Sequence, residues 1–326
     1  MKKEQKPIPS KDLMMDKLQK AINESWNIGN KLHQKRIEKW LNNFTGDALK
    51  DDIASQSEAQ ILEQNLALFL LCNFVYYNEN EVKHLAKKMF NNFAHNIFAA
   101  QNKPTVTDNE VDELLDSTLF TYLGDVSESS SYLLYLFRQE NDLVKKHFRE
   151  RQGIKNIVFL DDFSITGTQA RDYIVGTQAK KYTDSKIAKY TNGEKIFVLL
   201  MVATDEAIKM LKSIDNIVVI PCITLDSKSK AFSNDSLIFE GYEDKYKKMA
   251  KKMCEFYGNG LVEIDLSHGK TPLGFGGDGY MFGAYYNIPD NTLPIFWSAK
   301  NGWSYLLKRY DKKYKSNGIS LGGRYV

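Results

Sequence analysis

Apolar and polar positions divide the chain into two stretches of different period. From residue 11 to about residue 98 the apolar side chains recur at helical intervals. Leu13, Leu18 and Ile22 do so loosely, Ile37, Trp40, Leu41 and Phe44 at i, i+3, i+4 and i+7, and Val82, Leu85, Ala86, Met89, Phe90 and Phe93 as a stripe. Residues 61–77 are apolar nearly all round, which predicts a helix buried among its neighbours. Lys83, Lys87 and Lys88 mark a solvated face or a partner surface, and His84 and His95 sit in this helical region as ordinary polar residues.

After the polar residues 101–104 the pattern changes. Short apolar runs at 119–123, 157–160, 195–204 and 217–223 are each followed by a polar loop and then, after all but the last, by a helical stretch. Continuous apolar runs of this length read as strands buried on both faces, and their alternation with helices predicts an α/β fold with a parallel sheet. The expected organisation is an N-terminal helical domain over residues 1–100 and an α/β domain over 105–326. Thr107 with Glu110 predicts a capped short helix, Asp205 is the expected cap of the helix over 206–212, and a basic helix is expected over 239–257.

Composition narrows the class. The 326 residues are 43% hydrophobic and 26% charged, enough for a sizeable core. The net charge of +3 gives no strong argument for nucleic acid or an anionic membrane. Lys245, Lys247, Lys248, Lys251 and Lys252 form a basic face that is a candidate nucleic-acid surface, although Glu243, Asp244 and Glu255 are interleaved with it. Cys72, Cys222 and Cys254 are scattered, with no C-x-x-C pair, so neither a disulfide framework nor a zinc site is indicated and a reducing cytoplasm is expected. The first residues lack the apolar core of a signal peptide, and no apolar run is long enough to span a membrane.

Candidate chemistry concentrates at residues 156–169, Asn-Ile-Val-Phe-Leu-Asp-Asp-Phe-Ser-Ile-Thr-Gly-Thr-Gln. An apolar strand ends in two carboxylates, Asp161 and Asp162, and a loop of hydroxyls and glycine opens a helix. Backbone N–H groups at a helix start attract phosphate, Gly167 permits a left-handed turn, and Ser164, Thr166 and Thr168 can donate hydroxyl hydrogen bonds. The two acids suit neighbouring ribose hydroxyls or a hard cation such as Mg2+. A Walker B strand needs an upstream Gly-Lys-Ser/Thr loop, which is absent, and phosphatases of the Asp-x-Asp kind need separated acids. A plain helix cap with no ligand is the remaining alternative.

The spacing of this segment resembles the phosphoribosyltransferase signature, in which two acids and three mostly small or apolar residues precede Thr-Gly-x-Thr. Gln169 stands where that family usually has Thr. The fuller pattern, with Leu-Gly-Phe-Gly at 273–276 and Pro-Asp-Asn-Thr-Leu-Pro at 289–294, resembles a divergent branch found in prokaryotic conflict (anti-phage) systems. The resemblance implies a phosphoribosyltransferase-like α/β core with a C-terminal hood over about 260–300. It also implies an enzyme of the glycosyltransferase class acting at ribose C1 on phosphoribosyl pyrophosphate or a nucleotide with Mg2+. In that reading Asp161 and Asp162 hold the ribose hydroxyls and a possible Mg2+, while Phe163, Ser164, Ile165, Thr166, Gly167, Thr168 and Gln169 form the phosphate loop. By order along the chain, Ser127, Ser129, Ser130 and Ser131 match the pyrophosphate loop, with a serine helix cap as the alternative, and Arg138 is a phosphate partner or a surface ion pair. His268, Gly274 and Gly276 belong to the hood. The glycines there either cradle an anion or turn a hairpin. Trp297 and Tyr285 either stack on a base or pack in the core. The resemblance further implies a protein partner in a defence system. The alternative is a catalytically inactive nucleotide sensor regulating such a partner.

Overall fold

A computed structural model of the chain describes residues 5–26, 34–103, 105–124, 128–176, 193–265, 269–277 and 279–309. Its centre is a four-stranded parallel sheet in the order β2 (Thr118–Tyr122), β3 (Asn156–Ser164), β4 (Lys195–Thr204), β5 (Ile217–Leu225). The register pairs Tyr122 with Leu160 and Asp161 with Leu200. Side chains alternate across a strand, so an apolar run feeds two layers. Val158, Leu160, Phe197 and Leu199 face a cluster with helices α4 (Glu79–Ala100) and α6 (Ser129–Glu140). Ile157, Phe159, Ile196 and Val198 face α7 (Thr168–Val175) and α8 (Asp205–Lys212). The α/β class with a parallel sheet, expected from the runs, is what the chain forms.

Helix starts follow local chemistry. Thr107 and Glu110 make a reciprocal capping box on α5 (Asp108–Asp116), as do Asn78 and Glu81 on α4. The cap of α8 is Thr204 rather than the expected Asp205: its hydroxyl accepts from the Ala207 N–H at 3.0 Å, and Asp205 falls in the first helical turn instead, where a carboxylate still complements the helix dipole.

The N-terminal helices α1 (Lys11–Ala21), α2 (Gln34–Leu41) and α3 (Gln56–Cys72) pack together and on the C-terminal third of the chain. Leu66 to Leu71 of α3 are all buried, which explains the run that is apolar all round. That helix ends at Cys72, short of the expected 77, because Val75–Tyr77 form a strand, β1, pairing parallel with β8 (Phe282–Ala284). The indole of Trp40 donates to the Ile295 carbonyl at 2.7 Å and stacks on Phe296 at 5.6 Å. Residues 14–76 thus share one core with 231–307, whereas α4 joins the core of the sheet. The C-terminal third comprises α9 (Asp244–Leu261), a small antiparallel hairpin of β6 (Lys270–Thr271) and β7 (Gly274–Phe275), β8, and the single turn α10 (Pro294–Trp297). On α9, Lys245, Lys251 and Lys252 pair with Glu243, Glu255 and Asp52, so much of the basic face is neutralised within the molecule.

Candidate active site

β3 carries its two acids at the carboxyl end of the sheet, and their surroundings differ because successive strand residues face opposite ways. Asp161 is half-buried and accepts the Asp162 backbone N–H on Oδ1 at 3.0 Å. Asp162 is buried and held from three directions. Its Oδ1 accepts from the Ser129 hydroxyl and the Phe163 N–H, each at 3.0 Å, and its Oδ2 accepts from Asn287 Nδ2 at 3.0 Å. The same Asn287 amide also donates to Ser129 Oγ at 3.0 Å. These three side chains tie β3, α6 and the segment after β8 into one unit.

Tyrosines pack beside it. The buried Tyr286 hydroxyl lies beside Asp162, and burial first, then the Asp162 charge, keeps it protonated far above the ordinary phenol range. The hydroxyls of Tyr132 and Tyr285 lie 2.6 Å apart at the edge of the same cluster, and burial again raises the Tyr285 pKa.

The loop after β3 turns at Gly167 (φ 72°, ψ −8°), the cap residue of α7. A Cβ there would lie 3.0 Å from the Ala207 carbonyl oxygen and 3.1 Å from its Cα, so both the left-handed backbone and the close approach of α8 require glycine. A glycine cap brings no side chain to the first N–H groups of α7; the Thr168 N–H reaches Thr166 Oγ1 at a long 3.4 Å. Gln169, one residue on, donates its amide to Glu128 Oε2 at 3.0 Å.

Around these residues lies a cavity of about 320 Å³. One wall is Glu128, Ser129 and Ser130, the floor is Asp161 to Ala170 with Asp172, and the facing wall is Phe275, Asn287, Pro289, Asp290, Asn291 and Arg309. Among the described residues the lining holds five acidic side chains, Glu128, Asp161, Asp162, Asp172 and Asp290, and one cation, Arg309. Arg309 donates to the Ile288 carbonyl and, at 3.3 Å, to Asp290 Oδ2, and its guanidinium lies 5.2 Å from the Trp297 ring. A neighbouring cavity of about 460 Å³ shares Phe275, Asp290 and Arg309 and adds Lys270, Lys300 and Trp297. Among the described residues no three His, Cys, Asp or Glu side chains cluster closely enough to cage a metal. Asp161, facing the cavity, is the carboxylate that would hold a hard cation there.

The structure brings Asp161 to Gln169, Ser129 and Ser130 to one cavity. Ser130, although in the lining, spends its hydroxyl on the Leu123 carbonyl, and Ser131 donates to the Glu128 carbonyl at 2.7 Å and lies outside the lining. Arg138 lies outside it too, in the last turn of α6, where Nε donates to the Leu143 carbonyl at 3.2 Å. Gly274 lines the neighbouring cavity and Gly276 lines neither; the glycines turn the β6–β7 hairpin and its exit. Ser127 and His268 lie outside the described residues. The sequence reading missed Glu128, Asn287, Asp290 and Arg309. Asn287 is 125 residues from Asp162, and no local pattern signals a contact of that separation.

A family model described as PRTase-CE matches residues 37–309. A solved structure, orotate phosphoribosyltransferase from Aeropyrum pernix, is similar at 17% identity with a TM-score of 0.22, covering 35% of this chain and 63% of that one. No curated protein matches the chain.

Proposed function

The chain belongs to the PRTase-CE family, and from that premise we propose that it binds phosphoribosyl pyrophosphate, or a related nucleotide, with Mg2+ and substitutes at C1 of the ribose. The observation that carries this is the meeting of a glycine-capped helix start, Thr166 to Gln169, with the Asp161 carboxylate in one cavity at the carboxyl end of β3. In this reading the 5′-phosphate takes the first N–H groups of α7 and the Thr166 and Thr168 hydroxyls. Asp161 accepts the ribose hydroxyls. Asp162 acts as a positioning residue, since its oxygens already hold Ser129, Asn287 and the Phe163 N–H.

The C1–oxygen bond to the diphosphate breaks, its electron pair leaving on the diphosphate oxygen, as the acceptor forms its bond to C1 and gives up its proton to solvent water. Such a substitution needs orientation and charge stabilisation more than a nucleophilic side chain. Bound Mg2+ would neutralise the leaving diphosphate. The chain's own part is to hold the phosphate end and the ribose rigidly, with the acceptor approaching from the side of the neighbouring cavity past Arg309.

The test is pyrophosphate release from phosphoribosyl pyrophosphate and Mg2+, with water and a panel of nucleobases as acceptors. Asp161→Asn is expected to lower the rate by roughly a hundredfold, the scale of one lost transition-state contact. Absence of release under every condition would contradict catalysis. One observation favours a second reading, a nucleotide sensor without turnover: Gln169 is engaged by Glu128 and Asp162 by protein donors. Saturable binding with no product would establish it. A role as effector or regulator in anti-phage defence, with a protein partner, rests on the resemblance of residues 157–169 and 268–297. Plaque counts on cells carrying the wild-type or Asp161→Asn gene, with its neighbouring genes, test it; equal plating on both removes the role of this site.

A further inference from the structure

We propose that Glu128 is a built-in competitor for the phosphate subsite, a carboxylate that occupies the mouth of the anion cradle and must be displaced by ligand. The inference rests on the phosphate-subsite reading above. Glu128 stands at the cap position of α6, where an acidic side chain would ordinarily bond its own helix; it makes no such bond. Its carboxylate instead reaches across the cavity to accept the Gln169 amide at 3.0 Å. Its main chain is fixed in that pose by Ser131, whose hydroxyl and N–H both bond the Glu128 carbonyl, at 2.7 and 3.1 Å.

Room for the carboxylate is made by a glycine. A Cβ on Gly124 would lie 1.8 Å from Glu128 Oε2, so any larger residue there would exclude the side chain from its place. Gln169 lies in the first turn of α7, where a negative group gains from the helix dipole. The carboxylate is thus tied to a side chain of the first turn of the helix whose start a phosphate would use. The position also accounts for Gln169 itself. A threonine is too short to span the gap to α6, whereas glutamine reaches it. Asp161 and Asp162 lie in the same lining, so Glu128 adds a further negative charge to those an incoming phosphate meets unless it withdraws.

Isothermal titration of ribose 5-phosphate into the full-length protein, with and without Mg2+, decides the matter. Removing one negative charge about 5 Å from a phosphate is expected to tighten binding roughly five- to tenfold for Glu128→Ala. Glu128→Gln, which can still accept from Gln169, should fall between that variant and wild type, and the gain should appear with or without Mg2+. Affinity that is unchanged or weaker in Glu128→Ala overturns the proposal, including a weakening confined to Mg2+, which would make Glu128 a metal-side group. Wild type that binds while Glu128→Ala is no tighter removes only the competitor role. If neither wild type nor variants bind, the phosphate-subsite reading falls with it.

Discussion

Asp161 and Asp162 are adjacent in sequence and differ in what they can do. Asp162 spends both oxygens on donors from α6, β3 and the segment after β8, whereas Asp161 faces the cavity and accepts the Asp162 N–H on Oδ1. An asparagine at 162 would turn an N–H2 group toward Asn287 or Ser129, both donors, and leave them unpaired. Asp162→Asn is expected to cost about 1–3 kcal/mol, the scale of an orphaned buried donor, while Asp161→Asn, which keeps an acceptor for the Asp162 N–H, should cost less than about 1 kcal/mol. Urea midpoints of the two variants compare them. A larger loss at 161 would reverse the assignment of roles. The acidic pair and the phosphate loop were legible because strand, turn and helix cap are local chemistry. The division of labour within the pair was not, because it depends on Asn287.

At the scale of elements, two buried groups decide how the layers meet. Glu63 of α3 is fully buried and accepts from the Gly46, Ala48 and Leu49 N–H groups at 2.8, 2.8 and 3.0 Å and from the Tyr257 hydroxyl of α9 at 2.6 Å. It takes the place of water for the N–H groups of this buried loop, of which Leu49 also reaches the Gly46 carbonyl at 3.3 Å. Glu63→Ala should destabilise by about 3–5 kcal/mol, as when one partner of a buried charged network is removed. Chemical unfolding measures this, and a loss below about 1 kcal/mol would show that the loop re-pairs.

His147, in the 3-10 turn Lys145–Phe148 before β3, is buried with both ring nitrogens unbonded, 3.6 Å from Asp116. Burial lowers its pKa from 6.5, outweighing the opposing pull of Asp116. An imidazole whose folded pKa is depressed gives stability that is fully present above its unfolded value and lost as pH falls through the folded one. Unfolding midpoints should therefore drop between neutral pH and pH 5, and less so in His147→Gln. Equal slopes would assign the acid sensitivity elsewhere.

At the scale of the whole molecule, the strand–helix alternation of residues 119–223 was readable from its runs, since β3 and β4 are buried on both faces; β5, expected to be a buried strand, is instead the part-buried edge of the sheet, with Val219 and Ile220 buried and Val218 exposed. How the chain closes on itself was not readable. Periodicity shows that the N-terminal helices have apolar faces, but not that Trp40 stacks on Phe296 or that α3 lies under α9. A fragment of residues 105–326 would expose the C-terminal half of that shared core and is expected to lack a cooperative unfolding transition. Circular dichroism with heating checks this, and a cooperative melt would show that the C-terminal part folds alone. The same closure places Asn287, Asp290 and Arg309 over the acids of β3, so the cavity itself depends on residues far apart in the chain. We propose that this cavity is a phosphoribosyl site. Crystals grown with phosphoribosyl pyrophosphate and Mg2+ test it most directly. The 5′-phosphate should lie on the N–H groups of Thr168 and Gln169 with Asp161 on the ribose hydroxyls. A ligand bound elsewhere, or a cavity that stays empty at saturating ligand, would contradict the account.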